Sequence, residues 1–209
     1  MKRKMGNMDR IYCLLMGYIC GCFLTAEFVS KKYKGYDVKT YGSGNPGTAN
    51  VTKKLGKKAG FLVLLGDCLK TFIPIAICRL WLFKGLSSHA VSYAGLGAVL
   101  GHCYPVFRHF RGGKGIAVTG AYSLCLYPPI CLTTYSLGGL VALLSKHLVI
   151  GSGVIAILFP ITTYLFGFQG EETILAVITG IIILIQHKKS FLELLKGRGR
   201  DRESEKISK

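Results

Sequence analysis

The stretch GIAVTGAYSLCLYPPICLTTYSLGGLVALLS, from Gly115 to Ser145, decides how this chain is threaded. It carries no charged residue and is interrupted only by Pro128-Pro129. Whether it crosses a membrane once or twice fixes the side on which everything after it lies. Further apolar runs stand near 11–29, 59–83, 90–107, 148–168 and 172–187, and spanning a bilayer takes about 20 apolar residues as helix. Charge then chooses between the two threadings. The loop 31–58 holds eight Lys and one acid, Asp37, and the tail 188–209 holds eight Lys and Arg with four acids. Arg108, Arg111 and Lys114 stand between the third and fourth runs. Segments rich in Lys and Arg stay on the cytoplasmic side. Placing all three there makes 115–145 cross twice, bending at Pro128-Pro129, which gives seven spans, with six as the alternative. Lys146 then lies inside and Glu171-Glu172 outside.

Two costs come with seven. The halves 115–127 and 130–145 reach only about 20 and 24 Å at 1.5 Å per residue, so they need a thin or protein-lined region of the membrane. The basic residues of Met1–Arg10 also fall on the outer side. That N-terminus resembles the start of a signal peptide, but no small-residue cleavage site follows and Lys31-Lys32 does, so an uncleaved first span is expected.

Composition agrees with a membrane protein. Half of the 209 residues are hydrophobic and only 18% are charged, with a mean hydropathy of +0.41. The net charge of +17 would suggest nucleic acid in a soluble domain. Here the charge is confined to the gaps between apolar runs, and no soluble segment is long enough to bury a core. It serves loop orientation, and it also draws anionic substrates and lipid headgroups to one face. Eight cysteines lie in or beside apolar runs without a CxxC pair or a zinc-type Cys/His set, and are read as small hydrophobes. The expected fold is an all-α integral membrane bundle of about seven helices. Its polar loops are re-entrant or buried on the cytoplasmic face, in a single domain over 1–209 whose end, 197–209, is a frayed charged tail.

Three polar segments carry the chemistry. Tyr41-Gly42-Ser43-Gly44-Asn45-Pro46-Gly47-Thr48-Ala49-Asn50-Val51 cannot sit in lipid as regular helix, so it is a loop against protein or water. It is either an ordinary polar turn or a cradle of backbone N–H groups for an anion. In the second case a helix starting near Asn50 adds free N–H groups, and Lys53, Lys54, Lys57 and Lys58 add countercharge. It matches neither GxxxxGK[ST] nor GxGxxG. The second segment runs from Gly101 to Gly115, where Gly112-Gly113-Lys114-Gly115 lets backbone and one ammonium approach an oxyanion. His102 closes the preceding apolar run, as a structural or a catalytic histidine. Arg108 and Arg111 read as headgroup contacts or topology anchors. The third, Gln186-His187-Lys188-Lys189-Ser190, leads into Phe191–Gly197, which suggests a short helix lying on the surface. Inside the second run, Asp67 and Lys70 share one helical face at i, i+3. They are either a structural ion pair or an arrangement in which Asp67 aims Lys70 at a phosphate. Glu27 closes the first span at the interface.

Taken together, Gly-Ser-Gly-Asn-Pro-Gly-x-x-Asn-Val, then Leu55-Gly56-Lys57-Lys58-Ala59-Gly60, then Gly-His-x-x-Pro-Val-Phe-x-x-Phe-x-Gly-Gly-Lys-Gly, with Asp67-x-x-Lys70 between them, resemble the acyl-phosphate:glycerol-3-phosphate acyltransferase family, the PlsY type. The likeness covers nearly the whole chain. It implies a seven-helix enzyme of the bacterial cell membrane with its site facing the cytoplasm. Such an enzyme moves a fatty acyl group from acyl phosphate to the 1-hydroxyl of glycerol 3-phosphate, giving lysophosphatidate and phosphate. No cofactor, metal or acyl carrier protein is expected. The partners are the two substrates and membrane lipids, with no nucleic acid, and a homo-oligomer is left open. By resemblance Ser43, Gly44, Asn45, Gly47, Asn50, Lys53, Lys70, Gly112, Gly113, Ser152 and Ser190 bind phosphate. Lys114 clamps an anionic oxygen and His187 meets the reacting hydroxyl, with Asp67 and His102 in support.

The chain departs from the family pattern in places. Gly47-Thr48-Ala49-Asn50 stands where the family reads Gly-Ala-Thr-Asn, Lys53 replaces an arginine, and Val149-Ile150-Gly151-Ser152 keeps one of two serines. The third motif, His-x-x-Asn-Ile-x-Arg in the family, has Ser190, Phe191 and Glu193 at those places, and only His187 and Gly197 survive well. The second motif is intact. These departures leave open a catalytically weak paralogue that binds lipid phosphate or partners an active acyltransferase. A small transporter would show internal symmetry, and the sequence has none.

Overall fold

A proline pair starts a helix readily and cannot continue one, and Pro128-Pro129 does this here. Helix α6 (Ile116–Leu126) ends at Tyr127, and α7 (Pro128–Ser145) begins at Pro128 in its first turn. The structure, a computed structural model, describes residues 6–82 and 87–196. The helices before this bend are α1 (Asn7–Gly21), α2 (Thr25–Lys34), α3 (Thr48–Leu55), α4 (Lys57–Ala76, continued by a π-helical turn Ile77–Leu82) and α5 (Ser87–Cys103). After it come α8 (Leu148–Leu165) and α9 (Glu171–Leu195), and the described residues contain no strand. The fold is an all-α integral membrane bundle, and the chain is a multi-pass membrane protein.

Five segments are long and apolar enough to cross: Asn7–Lys34, Lys57–Leu82, Pro128–Ser145, Leu148–Leu165 and Glu171–Leu195. The 17-residue α5 and the 11-residue apolar α6 fall short of that length; counted with the five, they agree with the expected bundle of about seven helices. The first span is interrupted, since α1 stops at Gly21 and α2 starts at Thr25. The expected short helix over 191–197 is instead the end of α9, which runs unbroken through Phe191 to Leu195. The tail from Gly197 and the basic Met1–Met5 lie outside the described residues.

Close backbone contact makes α1 and α5 the tightest pair. A Cβ at Gly17, Gly21, Gly97 or Gly101 would come within 2.0 to 2.4 Å of a carbonyl oxygen on the facing helix. Small residues let helices approach in this way inside a membrane, where apolar burial gives no drive of its own. One core lies between these helices and α4, α6, α7, α8 and α9, around Tyr122, Phe159, Ile130 and Ala94. A second joins α2, α3 and α4 through Val29, Val38, Val51 and Val63.

The ends of the bundle are polar in different ways. At one end Glu171 accepts from Arg10 Nε at 2.9 Å and from the Tyr93 hydroxyl at 3.0 Å, while Glu172 accepts from Ser88 at 2.6 Å. The Arg10–Glu171 pair neutralises one of the four basic residues of Met1–Arg10; the other three lie outside the described residues. The other end carries the three motif segments.

Candidate active site

The Gly112-Gly113-Lys114-Gly115 loop is built on the C-terminus of α5, whose last carbonyls have no partner within the helix. Gly112 N–H donates to Cys103 O at 3.0 Å and Gly113 N–H to His102 O at 2.9 Å. A Cβ on Gly113 would lie 2.1 Å from His102 Nε2, and one on Gly112 2.0 Å from His102 O. Only glycine fits at either place. Gly115, at φ +83°, then opens α6. Gln186 of α9 braces the same turn by donating to Cys103 O at 3.0 Å.

Lys114 leaves this loop toward α9, where its ammonium donates to Ser190 Oγ at 2.5 Å. Burial pushes the Lys114 ammonium below the ordinary lysine range, and Glu193 pulls in the opposite direction. One turn before Ser190 is His187, 4% exposed and near enough to feel the Lys114 charge. Its Nδ1 stands 2.8 Å from Ile183 O. A carbonyl only accepts, so Nδ1 carries the proton and Nε2 is left as an acceptor. Phe191 packs on Gly153 and so brings the first turn of α8 to this end. There Ser152 donates within its own helix to Leu148 O at 2.9 Å.

Asp67, Lys70 and His102 form a buried cluster beneath the loop. Lys70 Nζ lies 2.9 Å from Asp67 Oδ1, 2.7 Å from His102 Nδ1 and 2.8 Å from Phe23 O. Its ammonium thus hydrogen-bonds Phe23 O and His102 Nδ1 and pairs with the Asp67 carboxylate. Phe23 lies in the gap between α1 and α2, so the carbonyl freed by that break is satisfied here.

The glycine loop folds around Asn50, which is buried at 7% exposure. Its side chain accepts from Ser43 N–H at 3.0 Å and donates to Tyr41 O at 3.3 Å. Gly42, at φ +57°, leaves no room for a side chain, since a Cβ would meet Asn50 Oδ1 at 2.0 Å. Helix α3 begins at Thr48, two residues before Asn50, after a Gly47 that supplies no side-chain cap. The first N–H groups of a helix have no partner inside it, so Thr48, Ala49 and Asn50 present theirs at the loop. Asn45 N–H faces Ser43 Oγ at 3.4 Å, and Gly44 N–H donates to Tyr41 O at 3.0 Å. Lys53 is exposed on α3. The loop joins the other segments through α2. Tyr41 Oη meets Ser30 Oγ at 2.6 Å, and one turn earlier Glu27 accepts from Arg108 Nε at 2.8 Å. Arg108 is thus half of an ion pair between α2 and the α5–α6 loop.

Beside that pair a groove of about 490 Å3 opens on the outside of the bundle, lined by Ile19, Cys22, Phe23, Leu24, Phe28 and Phe107. Lys31, Glu27 and Arg108 form its polar rim.

The structure therefore joins Lys114 of the glycine loop to Ser190 directly, with His187 one turn before Ser190 on α9, and sets His102, Lys70 and Asp67 under the loop. Ser43, Gly44, Asn45, Gly47 and Asn50 form a neighbouring loop at the same end, and Ser152 reaches that end through Phe191. Sequence reasoning missed the supporting roles of Gln186, Glu27 and Phe23 O. Only Gln186 was signalled, by standing next to His187.

Comparison with known proteins bears on what this end of the bundle does. Residues 11–197 match the family described as glycerol-3-phosphate acyltransferase. The glycerol-3-phosphate acyltransferase of Rubrobacter xylanophilus is 36% identical over 92% of this chain and 95% of its own length. Two crystal structures of PlsY (YgiH), an integral membrane glycerol 3-phosphate acyltransferase, have the same fold. Its glycerol 3-phosphate form matches at a TM-score of 0.77 and 34% identity, over 91% of this chain and 92% of that one. Its lysophosphatidic acid form matches at 0.80 and 33%, over 90% and 93%. With the family match running almost from end to end and relatives above one-third identity across whole chains, this protein belongs to the glycerol-3-phosphate acyltransferase family.

Proposed function

We propose that the chain, acting as a single domain over 1–209, transfers a fatty acyl group from acyl phosphate to the 1-hydroxyl of glycerol 3-phosphate. The products are lysophosphatidate and phosphate, and the site faces the cytoplasm of a bacterial cell membrane. The observation that carries this reading is the meeting of Lys114, on a loop that only glycine can form, with Ser190 of α9, one turn after His187. Acyl phosphate is already activated, so orientation and oxyanion stabilisation supply most of the rate and no covalent nucleophile is needed. The 1-hydroxyl oxygen bonds to the acyl carbon while the acyl C–O bond to phosphate breaks, and phosphate leaves with the electron pair. Lys114, partly withdrawn from water, stabilises the anionic oxygens, and the Nε2 of His187 is placed to take the hydroxyl proton. The glycine loop, with Ser43, Gly44, Asn45, Gly47, Asn50 and the N–H groups opening α3, holds phosphate, aided by Lys53 and Ser152. The lateral groove beside Glu27–Arg108 gives a fatty acyl tail a path from the bilayer.

The altered third motif raises the alternative of a weak paralogue. Ser190 nevertheless hydrogen-bonds Lys114, which favours a working site. The test is purified protein in detergent with labelled glycerol 3-phosphate and either palmitoyl phosphate or palmitoyl-CoA. Lysophosphatidate from palmitoyl phosphate alone is the expected outcome. Product only from the thioester would refute the donor, and product from neither would favour the weak paralogue.

A further inference from the structure

The cluster under the catalytic loop is more than an ion pair, because its third member is a histidine whose two nitrogens face different partners. His102 Nδ1 lies 2.7 Å from Lys70 Nζ, which has only protons to offer, so Nδ1 accepts and the imidazole is neutral with its proton on Nε2. The Nε2 edge rests on Gly113, where a Cβ would come within 2.1 Å, and Gly113 N–H is tied to the His102 carbonyl at 2.9 Å. Lys114 is the next residue. Lys70 also fixes the ring's alternative outlet, since Asp67 Oδ1 is 3.8 Å from His102 Nδ1. Without the ammonium nothing donates to Nδ1, and the ring can carry its proton on either nitrogen.

We propose that Lys70 is a positioning residue: its ammonium fixes the tautomer of His102 and, through the ring's contact with Gly113, sets the place of the loop that carries Lys114. This deepens the acyltransferase reading, and rests on it only for the kinetic arm of the test. An ion pair that merely joined α4 to itself would need Asp67 and Lys70 alone. The geometry points instead to a chain from Asp67 through Lys70 and His102 to Gly113.

The test compares the full chain with two variants. Asp67→Leu/Lys70→Met removes both charges at similar volume and leaves no buried charge unpaired, a change proteins often tolerate. His102→Asn keeps an acceptor for Lys70 where Nδ1 stood but removes the Nε2 edge. In the 15N spectrum His102 shows one Nε2–H tautomer in the parent, and the double variant shows a mixture or an Nδ1–H form. Gly113 amide and Lys114 ammonium signals move in both variants, while kcat/KM falls about 100-fold, the usual cost of a misplacement near 1 Å. A retained Nε2–H tautomer in the double variant overturns the proposal. So do unmoved loop signals, or kcat/KM within threefold of the parent in a folded variant. If the double variant fails to fold, His102→Asn decides alone by its loop signals. If the parent transfers no acyl group, the acyltransferase reading fails, and the NMR signals still decide this one.

Discussion

Replacing Gly113 by alanine tests whether the site is built as described. The added Cβ would lie 2.1 Å from His102 Nε2 and 2.7 Å from Cε1, whereas ordinary contact begins at 3.4 Å. One side must yield by about 1.3 Å, the gap between 2.1 and 3.4 Å. His102 has little freedom, being 3% exposed and held by Lys70 at 2.7 Å, so the loop moves. Lys114, one residue on, is displaced by a similar amount from a hydrogen bond of 2.5 Å to Ser190. A shift near 1 Å costs about 100-fold in rate, or about 2.7 kcal/mol of barrier. Overpacking adds about 1–3 kcal/mol of lost stability. The assay is lysophosphatidate formation from palmitoyl phosphate, run beside Gly139→Ala, whose Cβ meets nothing within 4 Å. Gly113→Ala activity within threefold of the parent would refute the account of this loop, whereas Gly139→Ala is expected to match the parent.

Further outcomes follow from other contacts. Lys114→Ala abolishes product formation in the same assay, and Ser190→Ala, which removes one acceptor and leaves the charge, loses about tenfold or less. Because burial depresses Lys114, it is charged at low pH and loses its proton below the ordinary lysine value of about 10.4. The alkaline limb of kcat/KM therefore lies below that value, and Lys114→Arg carries it to higher pH. Asp67→Ala strands a buried cation and costs about 3–5 kcal/mol, read as a large fall in thermal midpoint in detergent. Arg10→Ala breaks a solvent-screened pair at the opposite end, moving the thermal midpoint little and leaving turnover unchanged in the same assay.

The apolar helices were legible because each is a run of apolar residues, and the break between α6 and α7 is marked by Pro128-Pro129. The interruption of the first span was not. No proline stands there, and what holds it open is a carbonyl, Phe23 O, taken by a lysine 47 residues away. Asp67 and Lys70 could be paired by helical spacing, since i and i+3 share a face. His102 could not be added to them, because its contact depends on how α4 meets α5. The second motif revealed Lys114 but not its partner, which α9 supplies from a position where the family pattern is altered. The helix expected over 191–197 was misread because Leu192, Leu194 and Leu195 look amphipathic. Nothing in the sequence breaks α9, so it simply continues.

The shortest crossing has a consequence for the surrounding lipid. Helix α6 has 11 residues and so spans about 16 Å, roughly half of an ordinary hydrocarbon core. It starts directly at the residue after Gly115, with Leu124 partly bare at its side. Protein covers most of it, and lipid that reaches the bare side thins to meet it, at a cost that grows with every added ångström of thickness. In nanodiscs of graded chain length, turnover should fall as the host acyl chains lengthen, making the protein responsive to the thickness of the very membrane it helps to supply.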